Sequence, residues 1–506
     1  MITRRRILLA LVFGGPALAL IGLLVYVLIA GHTEVLLEED GLEASSTVSW
    51  TGPTRAPAEC PRFMAEGAEL FGLDRITDKT TLDGKVHDRT VEQVGTERVA
   101  VRTVSFISYE MDGCEVRPIR IRAVVALPVG AENTRSGRLA GIVRAHGLLP
   151  GGEAKDAAEL AAQLDAAVLA YYGPGFLGSE GWDSRPAHMF DTAHDARRSW
   201  LWSHTVALMR GITFLEAMPE VSEVQLGVFG MSFGGAAALI AAGVDPRIKA
   251  TAVVSASGYL DLAARAEPVP GWEVALLGQM RPPRGLDSPE WQGFLHSLDP
   301  SVFLSSVRQP VLLVDGAQDQ YFPLNSLART FTDLTARSKT HRLDVISGFD
   351  HGPIAETVMR SVRPAYMSNV RYWFRLHLHL GDGQEEEAPV PEVAVQEVEC
   401  CPEGKCRRCA EVTVELARLN RYTVDEVEVH VSSDRARTFI GYPATGNRRT
   451  FQRVVETHSL AELEDAVYFV EVVYRPLGEV RRVRLTSVPH LPTDFSPRIW
   501  PDGRGG

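Results

Sequence analysis

The chain has 506 residues, of which 45% are hydrophobic and 23% charged, and a formal net charge of -12. This is a globular composition with room for two or three domains, which excludes a disordered or low-complexity chain. The acidic balance excludes a general attraction to nucleic acid, so no nucleic-acid partner is expected.

The first element in chain order is apolar. Arg4, Arg5 and Arg6 precede an apolar run over residues 7–31, and Glu34, Glu38, Glu39 and Asp40 follow it. At about 1.5 Å per residue such a run reaches roughly 37 Å as a helix, enough to cross a hydrocarbon core of about 30 Å with some tilt. Ala17-Leu18-Ala19 would suit a signal peptidase, but cleavage there leaves a further apolar stretch at the new end. Residues 1–31 therefore read as an uncleaved N-terminal anchor in the lipid bilayer. Arginines before the span and acids after it place the N-terminus in the cytoplasm and the rest outside, periplasmic or extracellular, in a single-pass protein. The "TRRRILL" start also loosely resembles a twin-arginine export signal, with the same destination.

Residues 32–95 are turn-rich and read as an exported tether and N-terminal extension. From about Val99 the pattern changes to apolar strands alternating with helical periods. Strand-like "VRTVSFISYE", "PIRIRAVVALPVG" and "GIVRAHG" lead to helix-period "AKDAAELAAQLDAA", strand "AVLAYYG" and a helical region over about 192–218. Strand "VQLGVFG", helix "GGAAALIAAG" and strands "IKATAVVSAS", "QPVLLVDG" and "HRLDVISG" follow, and a last helix runs through "AETVMRSVRPAYMSNVRYWFRLHLH" with a kink or break at Pro364. Strands of continuous apolar character indicate a mostly parallel sheet with helices on both faces, an α/β domain over residues 96–380. Residues 258–305 interrupt the alternation and read as a cap inserted over the sheet edge.

Residues 381–398 combine an acidic run with prolines, as a linker does. Beyond them, residues 399–490 carry a cysteine cluster and period-2 runs such as "VTVEL", "VEVHV" and "VYFVEVVY", which predict a small β-sandwich-like domain. Tyr442, Tyr468 and Tyr474 read as its core or strand faces rather than as ligand platforms. Residues 491–506 form a tail.

Six cysteines follow the anchor: Cys60, Cys114, Cys400, Cys401, Cys406 and Cys409. An even count in an exported chain favours disulfides, and Cys60 with Cys114 would tie the segment after the anchor to the first strands. The cluster "CCPEGKCRRC" admits either disulfides or a zinc knuckle, and an oxidising compartment favours the first by removing thiolates. No metal or cofactor is otherwise called for.

The stretch "GVFGMSFGGAAAL" places Ser232 between Gly230 and Gly234. Chance alone supplies such a pattern roughly 0.2 times in a chain of this composition, so its context decides. Ser232 falls directly between a core strand and a helix of small residues, where a tight turn projects the side chain above the carboxyl edge of the sheet. A serine hydroxyl needs a base, and the base needs a carboxylate. Asp319 follows strand "PVLLVDG" and His351 follows strand "RLDVISG", giving the order Ser, Asp, His.

Each role has a rival. Asp315 is nearer its strand and has less reach than Asp319, while Asp350 adjoins His351 in sequence and reads as a turn residue. His146, in "VRAHGLLPGG", reads as shaping an oxyanion loop, which makes the backbone N–H groups of Phe233 and Leu148 the candidate donors. His188, His194 and His204 read as ordinary core or surface residues.

Over about residues 99–378, Gly230-Met231-Ser232-Phe233-Gly234, "GAQDQ", "GFDHG" and "AHG" together resemble the α/β-hydrolase superfamily. Within it the chain looks most like the acetyl xylan esterase, dienelactone hydrolase and prolyl oligopeptidase branches. The resemblance implies Ser232 as nucleophile, His351 as general base and then acid, and Asp319 as its orienter. The expected function is a membrane-anchored, extracytoplasmic serine hydrolase that cleaves a small-molecule ester or acylated substrate through an acyl-enzyme. A prolyl oligopeptidase-type peptidase is the enzymatic rival. Such peptidases usually carry a β-propeller, which needs about 40 residues for each of at least four blades, more than the interval between residues 31 and 99 can hold. A non-catalytic surface protein, whose C-terminal β-domain binds a cell-surface ligand, is the rival from another class; an intact triad argues against it.

Overall fold

Strands that are apolar on both faces need cover on both faces, and a single sheet with helices above and below supplies it. In the computed structural model, which describes Phe63 and residues 67–130, 139–265, 282–351, 356–380, 386–401, 406–417, 419–455, 460–477, 481–493 and 495, that sheet has nine strands. They are β1 (Lys85–Val94), β2 (Glu97–Asp112), β3 (Glu115–Pro128), β4 (Leu139–Ala145), β5 (Ala167–Tyr171), β6 (Val221–Met231), β7 (Ile248–Val254), β8 (Val311–Gly316) and β9 (Arg342–Ile346). Their order is β1-β2-β3-β5-β4-β6-β7-β8-β9, antiparallel as far as β5 and parallel from β5 to β9.

Two apolar cores flank the sheet. Helices Trp200–Glu216, Phe233–Val244 and Leu324–Thr335 pack on one face, and Glu153–Leu164 and Glu356–His377 on the other. Alternate residues serve the two cores: Leu226 and Val228 of β6 enter the first, and Phe229 enters the second. The expected fold class is thus present, as a mixed sheet whose parallel part carries the strand-to-helix crossovers.

The structure adds detail that the periodicity does not carry. The sheet begins at Lys85 rather than near Val99, because β1 is an edge strand exposed along almost its whole length and needs no apolar run. The helix Glu356–His377 runs without a break through Pro364, where the sequence predicts a kink or break; a missing N–H removes one i→i-4 bond and leaves its neighbours. Of the interval read as a cap, Leu260–Ala264 and Pro289–Ser297 are helical, while "GWEVALLGQM" lies outside the described residues. Trp291 is fully buried, packs edge-on against Phe190 and donates from its indole N–H to Asp261 at 2.7 Å.

After the catalytic sheet come β10 (Glu392–Cys400), β11 (Arg407–Glu415), β12 (Tyr422–Ser432), β13 (Ile440–Pro443), β14 (Thr445–Gly446), β15 (Thr450–Val455), β16 (Val467–Pro476) and β17 (Val483–Thr486). They form two four-stranded sheets, β10-β11-β15-β14 and β13-β12-β16-β17, as a small sandwich requires. β10 starts inside the segment read as a linker, since its valines alternate with acids and the strand is largely solvated. β17 lies beside β9, the edge of the catalytic sheet: Val345 N donates to Thr486 Oγ1 at 3.1 Å, and Arg484 Nε to Asp344 Oδ1 at 2.7 Å. A covered edge strand has no free ladder to offer another chain.

The cysteine cluster closes as Cys400–Cys409 and Cys401–Cys406, so its sulfurs offer no thiolates to zinc. Cys114 is also disulfide-bonded, and its expected partner Cys60 lies outside the described residues. Among the described residues no helix is long and apolar enough to cross a membrane; residues 7–31, where the sequence places the anchor, lie outside them.

Candidate active site

β6 ends at Met231 and the helix Phe233–Val244 begins two residues on, so the chain turns within Ser232. It does so at φ 56° and ψ -130°, a conformation that non-glycine residues rarely adopt and that costs on the order of 1–3 kcal/mol. Ser232 N donates to Val254 O at 2.9 Å, pinning the turn to the end of β7. A Cβ on Gly230 would lie 2.1 Å from Gly234 O, and one on Gly234 would lie 2.3 Å from His146 O. The two glycines are therefore the condition for strand, helix and the 145–147 loop to meet at the serine.

The acid and the base come from neighbouring strand ends that are tied together. Gln318 N donates to Phe349 O at 3.1 Å, and Ala317 N donates to Ile346 O at 2.9 Å. Asp319 is fully buried, and its Oδ1 accepts the N–H groups of Tyr321 at 2.7 Å and Phe322 at 2.8 Å. Its Oδ2 lies 2.8 Å from His351 Nδ1, and His351 Nε2 lies 2.9 Å from Ser232 Oγ. Tyr321 meets the imidazole edge-on and Phe322 stacks on it, so the ring is held on two sides.

These contacts fix the proton positions. Burial alone would raise Asp319, but the charge and hydrogen bond of His351 outweigh it and hold the carboxyl below its usual range. An ionised carboxylate only accepts, so His351 Nδ1–H donates to it, and Nε2 is left with a lone pair for the Ser232 hydroxyl. That is the geometry of a general base poised on a nucleophile.

Asp315, the rival acid, is equally buried. Its Oδ1 accepts Gly316 N at 2.7 Å, and its side chain hydrogen-bonds to that of Asp319. Burial, reinforced by the negative charge of Asp319, pushes its carboxyl well above the usual range, which favours Asp319 over Asp315 as the partner of His351. Asp350 is half-buried beside His351, whose Nδ1 is already taken by Asp319.

His146 shapes the loop facing the serine. Its Nε2 accepts the Gly173 N–H at 2.7 Å, so Nδ1 carries the proton and donates to Gly147 O at 2.8 Å. Complete burial pushes this imidazole down to about 3, so it stays neutral. The clamped loop runs against Ser232: a Cβ on Gly147 would lie 3.1 Å from Ser232 Cβ. Leu148 follows, buried, with its carbonyl accepting Ser184 Oγ at 2.8 Å, and Phe233 opens the helix on the other side of the serine.

His204, one of the histidines the sequence leaves as ordinary core or surface residues, is fully buried. It also supports the loop, stacking on Trp200 and meeting His146 O at 3.1 Å. His188 is buried against Asp183, and His194 is exposed. The residues that sequence reasoning missed act through backbone: the N–H groups of Tyr321, Phe322 and Gly173 leave no mark in residue type.

A sequence model of the prolyl oligopeptidase family (Peptidase_S9) matches residues 205–378, a span that contains Ser232, Asp319 and His351. Similar solved structures include the acetyl xylan esterase from Paenibacillus sp. R4, at 17% identity over 61% of this chain and 97% of that one, with a TM-score of 0.46. Acetyl xylan esterase 1 from Thermoanaerobacterium sp. JW/SL YS485 matches at 18% identity over 60% of this chain and 95% of that one, TM-score 0.42. The acylaminoacyl peptidase of Pyrococcus horikoshii matches at 14% identity over 60% and 52%, TM-score 0.41. No curated protein matches the chain in sequence. With a strained serine, a base and a buried carboxylate joined in one hydrogen-bonded line inside the matched span, the chain is a serine hydrolase of the α/β-hydrolase superfamily.

Proposed function

We propose that the protein is a carboxylic ester hydrolase, anchored in a membrane by residues 7–31, with its catalytic domain outside the cytoplasm. The line from Ser232 Oγ through His351 to Asp319 carries the hydrolytic part of this reading. Ser232 Oγ attacks the acyl carbon as its proton passes to His351 Nε2. The oxyanion then faces the N–H groups of Phe233 and Leu148, each worth about 3 kcal/mol if it acts as such donors do elsewhere. His351 returns the proton to the departing alcohol, leaving an acyl-enzyme, and then deprotonates the water that releases the acid.

The preference for esters is supported by the short interval between residue 31 and β1, which leaves no room for a propeller that would gate peptides. The peptidase reading draws support from the family model itself, whose name is that of a peptidase family. Anchoring and location rest on the arginines before residue 7 and the acids after residue 31. We assign the C-terminal β-unit no surface ligand.

Short-chain aryl esters offered beside aminoacyl amides separate the two enzymatic readings. Ester turnover that exceeds amide turnover by more than the substrates' intrinsic reactivities supports the esterase, and the reverse supports the peptidase.

A further inference from the structure

Three side chains of the C-terminal unit stand together on one face of the sheet β13-β12-β16-β17. Glu428 and His430 are two residues apart on β12, and Glu471 of β16 is the register partner of Glu428. Like charges directly opposite on neighbouring strands repel. His430 is 7% exposed and its Nε2 has no hydrogen-bond partner, yet that atom lies 3.4 Å from Glu428 Oε2 and 3.9 Å from Glu471 Oε2. One ligand atom from each residue falls within 4.8 Å of the other two.

We propose that Glu428, His430 and Glu471 bind a divalent transition-metal cation of the zinc class. Zinc takes imidazole nitrogen and carboxylate oxygen at about 2.0–2.2 Å, which places tetrahedral ligand atoms roughly 3.4 Å apart, close to the spacing seen. The cation accepts the Nε2 lone pair and draws the two facing carboxylates in as ligands.

The surrounding residues hold the donors in place. The His430 ring stacks on Phe469 at 4.9 Å. A Cβ on Gly441 would lie 2.3 Å from Glu428 Oε1, so glycine on β13 is what lets that carboxylate lie over the strand. The nearest cationic group, Arg484, sits 3.6 Å from Glu471 and is already committed to Asp344 by bonds of 2.7 and 3.2 Å. Glu428 is partly exposed, which leaves a fourth position to water.

The test uses the full chain, stripped with a chelator and dialysed against buffered zinc. Wild type and Ser232→Ala should each retain one zinc more than His430→Gln and Glu471→Gln do, and both variants should bind zinc at least about tenfold more weakly. Zinc should raise the melting temperature of wild type and not of the two variants, and serine labelling shows that the variants are folded. Equal zinc content in wild type and folded His430→Gln, or an equal rise in melting temperature, would overturn the proposal.

Discussion

Asp315 and Asp319 leave the same strand end four residues apart and both are fully buried, but only Asp319 reaches His351, at 2.8 Å from Nδ1. Their proton affinities diverge for that reason. His351 draws Asp319 below the usual carboxylate range, and burial beside the negative charge of Asp319 pushes Asp315 well above it. Asp319→Asn should lower kcat by about 10⁴-fold, as loss of the orienting carboxylate does in triads of this kind. Asp315→Asn leaves the partner of His351 in place and should change kcat/KM by less than about tenfold. Steady-state kinetics of the two variants side by side checks this; equal damage from both would contradict the assignment.

Gly234→Ala puts a Cβ 2.3 Å from His146 O and 2.4 Å from Ala145 O, both of them backbone atoms. Nothing flexible can yield, so the turn at Ser232 or the loop at Gly147 must move. The expected result is loss of serine labelling together with a lower melting temperature. Ala237→Gly, further along the same helix, should cost about 2 kcal/mol in stability through helix propensity and a lost buried methyl, and leave labelling intact.

Buried neutral histidines set a direction for acid sensitivity. Burial holds His146 and His377 down to about 3 and His341 to about 4, whereas each takes up a proton near 6.5 once unfolded. Depressed folded values mean that the unfolded state binds more protons below about 6.5, so this stabilisation is present above that pH and is lost as pH falls. Each such histidine contributes a slope of about 1.4 kcal/mol per pH unit within its window. Denaturant unfolding at pH 7 and pH 5 should show a clear loss at the lower pH, and His341→Gln should reduce the slope.

The sheet, the tight turn at Ser232 and the hydrogen-bonded order Ser232, His351, Asp319 were legible because each has a local signature: an apolar strand, a small-residue turn, a polar loop after a strand. β1 was not, because an exposed edge strand such as "KVHDRTVEQV" carries no apolar period. The start of β10 was hidden by the acids between its valines. Asp315 could be set aside from sequence only by reach; its raised carboxyl pKa depends on burial next to Asp319, which is a property of the fold. The clamp of His146 on Gly147 and Gly173 joins residues 27 positions apart and is invisible until the loops are placed.

Arg484 on β17 and Asp344 on β9 join the C-terminal unit to the edge of the catalytic sheet, with Asn369 donating to the same carboxylate at 2.6 Å. Asp344 is fully buried, so removing the guanidinium leaves a charge only partly compensated. Arg484→Met should destabilise the chain by about 3 kcal/mol. Limited proteolysis should then cut within residues 381–398 faster than in wild type. Unchanged cleavage and melting would mean that the pair contributes nothing to the junction.

The central claim is that Ser232 is a nucleophile activated by His351 and Asp319. Incubation of the purified protein with a fluorophosphonate, followed by mass spectrometry of the peptide containing Ser232, tests it most directly. The expected result is one stoichiometric adduct on Ser232, none in Ser232→Ala and a strongly slowed reaction in His351→Ala. An unlabelled Ser232 in folded wild-type protein, or an adduct that forms equally fast without His351, would contradict it.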